Sequence, residues 1–296
     1  MRLKDILTSR TKPKTFEELE QIRLDLEERK RYNKKIVISG NVVEEYDYKW
    51  GKKVLGKKIK NPNSIPVHTS KSDEHNQEQN FRRSKQMLKR IINSNSYQYG
   101  NLKPVFLTLT FKDEVEDIDF AKDCFKQFVK KVKYYTGSKM AYVCVPEIQK
   151  ERFEKYGCKV WHFHLVIFNL PFVEKEIVCQ WWSHGFIDIK ALMLRKKHKS
   201  GNWITTNKEL LTVGEYVTKY MSKDFVEVKK NSRKYFPSQG LKRPIAHYVV
   251  DEKPNNSPHI FRQNLCDDFN GFSIYKKYNK KKYKKDLTGL VHSAKL

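Results

Sequence analysis

Residues 104–225 switch repeatedly between two hydrophobic periods, and the order of those switches restricts the fold more than anything else in the chain. Residues 105–111, Val-Phe-Leu-Thr-Leu-Thr-Phe, are β-branched and aromatic, which predicts a strand. Over 119–135, Phe120, Cys124, Phe128 and Val132 recur on one side with lysines opposite, which predicts a helix stopped by Gly137. Strands are predicted at 140–146 and 159–168, joined by a polar connection at 149–157. A helix at 174–183, a strand at 186–192, a basic insertion at 195–207 and a helix at 209–223 complete the series. Strand, helix, strand, strand, helix, strand is the split βαβ arrangement. The expected class is α+β, ferredoxin- or RRM-like: a mainly antiparallel sheet of about five strands with helices on one face, and the other face free to bind something.

Three regions are expected: a basic N-terminal extension (1–100), a central domain (101–250) and a basic C-terminal tail (251–296). The extension reads as a charged helix at 17–32, a Lys/Asn/Pro/Ser-rich stretch at 51–79 that favours loop, and a basic helix at 82–92. In the tail, lysines and tyrosines interleave over 275–285, a pattern that lets cations follow phosphates while rings stack on bases; a solvated tail is the plain alternative. The 60 Lys and Arg against 34 Asp and Glu give a net charge of +26, so the natural partner is a polyanion, above all nucleic acid. No long apolar segment points to a membrane, and the first residues lack a secretory apolar core, so a cytoplasmic location is expected. Five scattered cysteines without a C-x-x-C pair read as reduced thiols.

Chemistry concentrates at two motifs. In Trp161-His162-Phe163-His164-Leu165, strand alternation points both imidazoles one way and the apolar side chains the other. Two unpartnered imidazoles in a buried strand are costly, and a divalent metal would satisfy them. Glu147, at the end of the preceding strand, is the expected third ligand; Gln149 could also coordinate through its amide oxygen. With a carboxylate and open positions, Mg2+ or Mn2+ is the expected cofactor. In the helix at 209–223, Tyr216 and Tyr220 lie one turn apart, with Lys219 on nearly the same side. A phenol with a cation beside it can serve as a nucleophile toward phosphorus. The plain reading is an aromatic stripe packing the helix on the sheet.

Taken in this order, Phe106-Leu107-Thr108-Leu109-Thr110, His162-Phe163-His164 and Tyr216-Val217-Thr218-Lys219-Tyr220 resemble the three motifs of the HUH endonucleases. Among them the likeness is to rolling-circle replication initiators of plasmids and single-stranded DNA phages, in the two-tyrosine form. The resemblance implies metal-dependent nicking of one strand at an origin. Tyr216 would be joined to the 5′ phosphate, a free 3′ hydroxyl would prime synthesis, and Tyr220 would be the second nucleophile. It implies single-stranded or supercoiled origin DNA as substrate and a host helicase and replication machinery as partners. Conjugative relaxases usually place the tyrosine ahead of the histidines, and single-strand transposases of the tyrosine type are usually shorter. A non-catalytic nucleic-acid-binding module would leave His162, His164 and Tyr216 unexplained.

Overall fold

The computed structural model describes residues 31–48, 53–54, 70–192, 195–197, 200, 203–205, 214, 217–218, 234–250, 261–267, 271–279, 283 and 290–295. They divide into two compact units, one drawn from Met1–Asp73 with Ile245–Leu296, the other from Glu74–Pro244. Almost all of the helix expected at 17–32 lies outside the described residues, as does most of the one at 209–223.

The second unit has the expected α+β architecture. After α1 (Ser70–Asn95) come β1 (Val105–Phe111), α2 (Ile118–Thr136), β2 (Tyr142–Ile148), α3 (Lys150–Tyr156), β3 (Trp161–Ile167), α4 (Lys175–Trp182), β4 (Gly185–Ala191) and the short β5 (Phe236–Pro237). The sheet order is β5-β2-β3-β1-β4 with every neighbouring pair antiparallel, the split βαβ order plus one edge strand. Local chemistry sets the boundaries. Asp117 caps α2 by accepting from the Asp119 N–H at 2.9 Å, and Gly137 ends it at φ +67°, a left-handed conformation that glycine adopts without strain.

One face of the sheet carries the main core. Trp161, Phe163, Leu165 and Ile167 of β3 pack with Leu107, Leu109 and Phe111 of β1 against Phe125 and Phe128 of α2 and Trp182 of α4. The buried indoles keep their polar ends satisfied: Trp161 donates to the Glu116 carbonyl at 2.8 Å and Trp182 to the Thr110 carbonyl at 3.0 Å.

The opposite face is not free along its whole length. Leu88, Ile91 and Ile92 of α1 cover one end of it, packing with Phe106, Val143, Val145, Val166 and Phe168. The helix expected at 82–92 is therefore longer, and residues 70–79, expected as loop, are helical. Two further differences bear on function. The connection expected at 149–157 contains α3, closed by Gly157 at φ +76°. β2 runs to Ile148, which places Glu147 inside the ladder rather than beyond its end. In the basic insertion, Arg195–Lys197 pairs with Trp203–Thr205.

The first unit is a six-stranded antiparallel sheet in the order Phe261–Asp267, Gly271–Asn279, Val42–Tyr48, Lys34–Ser39, Ile245–Val249, Leu290–Lys295. The lysine–tyrosine run read as an open strip on a tail is thus largely strand. Lys276 and Lys277 stand opposite Glu45 and Glu44, and Tyr278 is fully buried, so its ring is withdrawn from any base. In the same sheet, Lys34 and Glu45 form a buried ion pair at 3.1 Å, and the Tyr283 hydroxyl donates to Glu45 at 3.1 Å. No helix among the described residues is long and apolar enough to cross a membrane. Cys124, Cys144, Cys158 and Cys179 are free thiols.

Candidate functional site

Strand register assembles the polar end of the α1-covered face. Because directly opposed residues of an antiparallel pair share a face, the ladder defines rows across the sheet. One row reads Lys190, Phe106, Val166, Val143, and α1 closes over its apolar part. The next reads Asp188, Thr108, His164, Val145, and the third reads Phe186, Thr110, His162, Glu147. Phe106-Leu107-Thr108-Leu109-Thr110 thus does two jobs. Its leucines fill the core, and its threonines flank the histidines.

His164 is 5 % exposed and held from both ends of its ring. Its Nε2 lies 2.8 Å from Glu147 Oε2 and its Nδ1 3.2 Å from Thr108 Oγ1, while Phe106 stacks on its face at 5.8 Å. In the neutral ring, Nε2–H donates to the carboxylate and Nδ1 accepts from the threonine hydroxyl. Thr108 is absent from the sequence candidates, although alternation along 106–110 is the signal that finds it.

His162 has the opposite character. Its Nε2 is sealed from solvent with no hydrogen-bond partner. Burial first, then the neighbouring His164, then Arg152, hold its imidazole down to about 4, so the ring is neutral near neutral pH and its lone pair is available. Two residues beyond Glu147, the Gln149 side-chain oxygen is likewise buried without a partner. Unsatisfied buried polar atoms are uncommon in native proteins, and two at one end of a sheet face mark a place built for something else. Among the described residues, no group of three or more His, Cys, Asp or Glu side chains is gathered closely enough to hold a metal ion. The His162 and His164 ring centres stand 6.1 Å apart at 63°, and Glu147 is engaged with His164. Convergence on one cation requires those side chains to turn inward.

Tyr216, Lys219 and Tyr220 lie outside the described residues. Val217 and Thr218 do not, and they are 0 % and 1 % exposed. Val217 is buried in the cluster that contains Phe106, Val145 and Val166, on the histidine face. Gly214 comes so close to α1 that an added Cβ would stand 3.1 Å from the Lys89 Cα, so only a glycine fits there without displacing backbone.

Residues 104–225 match a family model, that of the replication-associated protein ORF2. The match includes β1, both histidines, Glu147 and the Tyr216–Tyr220 segment, although it spans less than half of the 296 residues. It supports a replication initiator of the Rep type. Neither a curated protein nor a solved structure matches the chain.

The contrast between the two imidazoles has a measurable consequence. In chelator, His162→Leu is expected to leave stability unchanged or raise it by up to about 2 kcal/mol, because an apolar side chain replaces an unsatisfied polar atom. His164→Leu is expected to lower it by about 1–3 kcal/mol, because Glu147 and Thr108 lose their partner. Urea unfolding of both variants decides it; a larger loss from His162→Leu would show that its buried nitrogen is satisfied in solution.

Proposed function

We propose that this chain initiates rolling-circle DNA replication by HUH-type chemistry, nicking one strand at an origin and rejoining it at termination. The observation that carries the proposal is the third row of the sheet. There, within the replication-associated segment, a neutral His162 with a buried unpartnered nitrogen lies in register with the Glu147 carboxylate.

Two neutral imidazoles, a carboxylate and the orphaned Gln149 oxygen are a donor set suited to Mg2+ or Mn2+ with open positions left over. When bound there, such a cation supplies positive charge that polarises the scissile phosphodiester. The protein does the rest. Thr108 fixes the orientation of His164 through Nδ1, as groups behind a metal-ligating histidine commonly do. Val217 anchors its segment to the histidine face, so that the Tyr216 phenol is delivered to the phosphate. The phenolic oxygen attacks phosphorus, the P–O3′ bond breaks, and the phenolic proton is transferred so that the leaving oxygen becomes a free 3′ hydroxyl. The 5′-phosphotyrosyl ester keeps the energy of the broken bond, so the reverse attack by a 3′ hydroxyl reseals the strand. Lys219 assists by neutralising phosphate charge or favouring phenolate character, and Tyr220 serves as the second nucleophile.

Incubating the protein with single-stranded DNA carrying a candidate origin tests this reading. An SDS-resistant protein–DNA conjugate is expected with Mn2+ and is expected to disappear in EDTA. Undiminished conjugate in EDTA would rule out the metal-dependent reaction. DNA binding with no conjugate in any divalent cation would favour the non-catalytic module.

A further inference from the structure

The third row ends in a residue the chemistry above leaves unused. Phe186 is 68 % exposed on β4, on the same sheet face as His162, with Thr110 between them. Large apolar side chains on this unit have two cores available, yet Phe186 joins neither. Its neighbours along the strand alternate as expected, Ile187 facing the main core and Asp188 pairing with Lys190 at 2.5 Å. Phe186 is thus an apolar ring set among polar residues and open to solvent. Two inter-strand steps separate it from His162, about 10 Å. That distance is a few nucleotides of a single strand at most. Lys112, exposed and held by its N–H to the His184 carbonyl at 2.8 Å, adds a cation at the same end of β1.

We infer that Phe186 is a stacking platform for an unpaired base next to the scissile phosphate, which makes single-stranded rather than duplex DNA the form engaged by this face. The inference rests on the proposed nicking site for its direction and adds the substrate form. A flat ring beside a polar, lysine-edged row is the arrangement by which proteins hold single strands without reading their sequence, the ring taking the base and the lysine the phosphate. A duplex keeps its bases stacked on one another and offers the ring nothing.

Phe186→Ala and Phe186→Trp in the full chain, titrated against a fluorescein-labelled single-stranded oligonucleotide of mixed sequence and its duplex, test the assignment. Phe186→Ala is expected to weaken single-strand binding roughly tenfold or more and to leave duplex binding within about twofold. Phe186→Trp is expected to retain the affinity and to show indole quenching on binding the single strand. Single-strand affinity for Phe186→Ala within about twofold of wild type, or an equal loss on the duplex, would overturn the stacking role. Conjugate formation by the wild-type protein, followed in parallel, keeps the two ideas apart. Absence of conjugate with a clear Phe186→Ala binding defect removes the nicking reaction and leaves the platform, whereas normal conjugate with unaltered binding removes the platform alone.

Discussion

Tyr216→Phe is expected to abolish the SDS-resistant conjugate with single-stranded DNA, lowering its yield by at least about a thousandfold. The substitution removes one oxygen atom and keeps the ring, so whatever packing the side chain provides is preserved while the nucleophile is lost. Binding of single-stranded DNA should therefore change little, and that separation is the informative part. Tyr220→Phe should behave differently. The first cut should survive, and rejoining, read as recovery of closed circles, should fall. Normal conjugate from Tyr216→Phe would move the nucleophile elsewhere, and equal loss of both steps in Tyr220→Phe would give that ring a packing role. The expectation follows from where the neighbouring residues sit. Val217 is buried against Val145 and Val166, which belong to the strands that carry Glu147 and His164, so the segment is tied to the face that bears the imidazoles.

Local periodicity is enough to read the sheet and its two covering helices, because alternation in β1 and β3 and the 3.6-residue recurrence in α2 are properties of neighbouring residues. The histidine face is legible for the same reason: one imidazole on a strand fixes where the next but one points. What sequence does not supply is pairing at a distance. That Thr108 holds His164 follows from a register between residues 56 apart. The pairing of Lys276 and Lys277 with Glu45 and Glu44 turns an apparently solvated tail into the middle of a sheet, and no local pattern announces it. The length of α1 escapes for another reason. Its first turns hold no apolar stripe, so composition reads them as loop. Yet once Leu88, Ile91 and Ile92 are packed, extension toward the N-terminus adds one backbone hydrogen bond per ordered residue without a new nucleus. Side-chain pairs at i,i+4, such as Glu78 with Arg82 at 2.9 Å, support those turns. α3 is only seven residues long, below the length at which periodicity separates helix from polar connection.

The same alternation ties stability to chemistry, and Phe163 is where the tie is strongest. Flanked by His162 and His164 on β3, it points to the other side of the sheet, fully buried, with its ring centre 5.2 Å from Phe125 and 6.2 Å from Phe111. Phe163→Ala should cost about 3–5 kcal/mol through lost burial and the cavity left between β3 and α2. For a unit of this size that corresponds to a fall in Tm of about 6–20 °C. Total stabilities of about 5–15 kcal/mol make this a large fraction of what holds the unit together. Phe186→Ala, on the same sheet but exposed, should change stability by no more than about 0.5 kcal/mol. Thermal unfolding of the two variants side by side measures the difference, and a Phe163→Ala protein melting within about 2 °C of wild type would mean that β3 is not the packed central strand. If β3 is central, its core side anchors the backbone from which His162 and His164 project. Softening that anchor should loosen the imidazoles with no change to either of them, so conjugate formation by Phe163→Ala should decline well below its melting temperature.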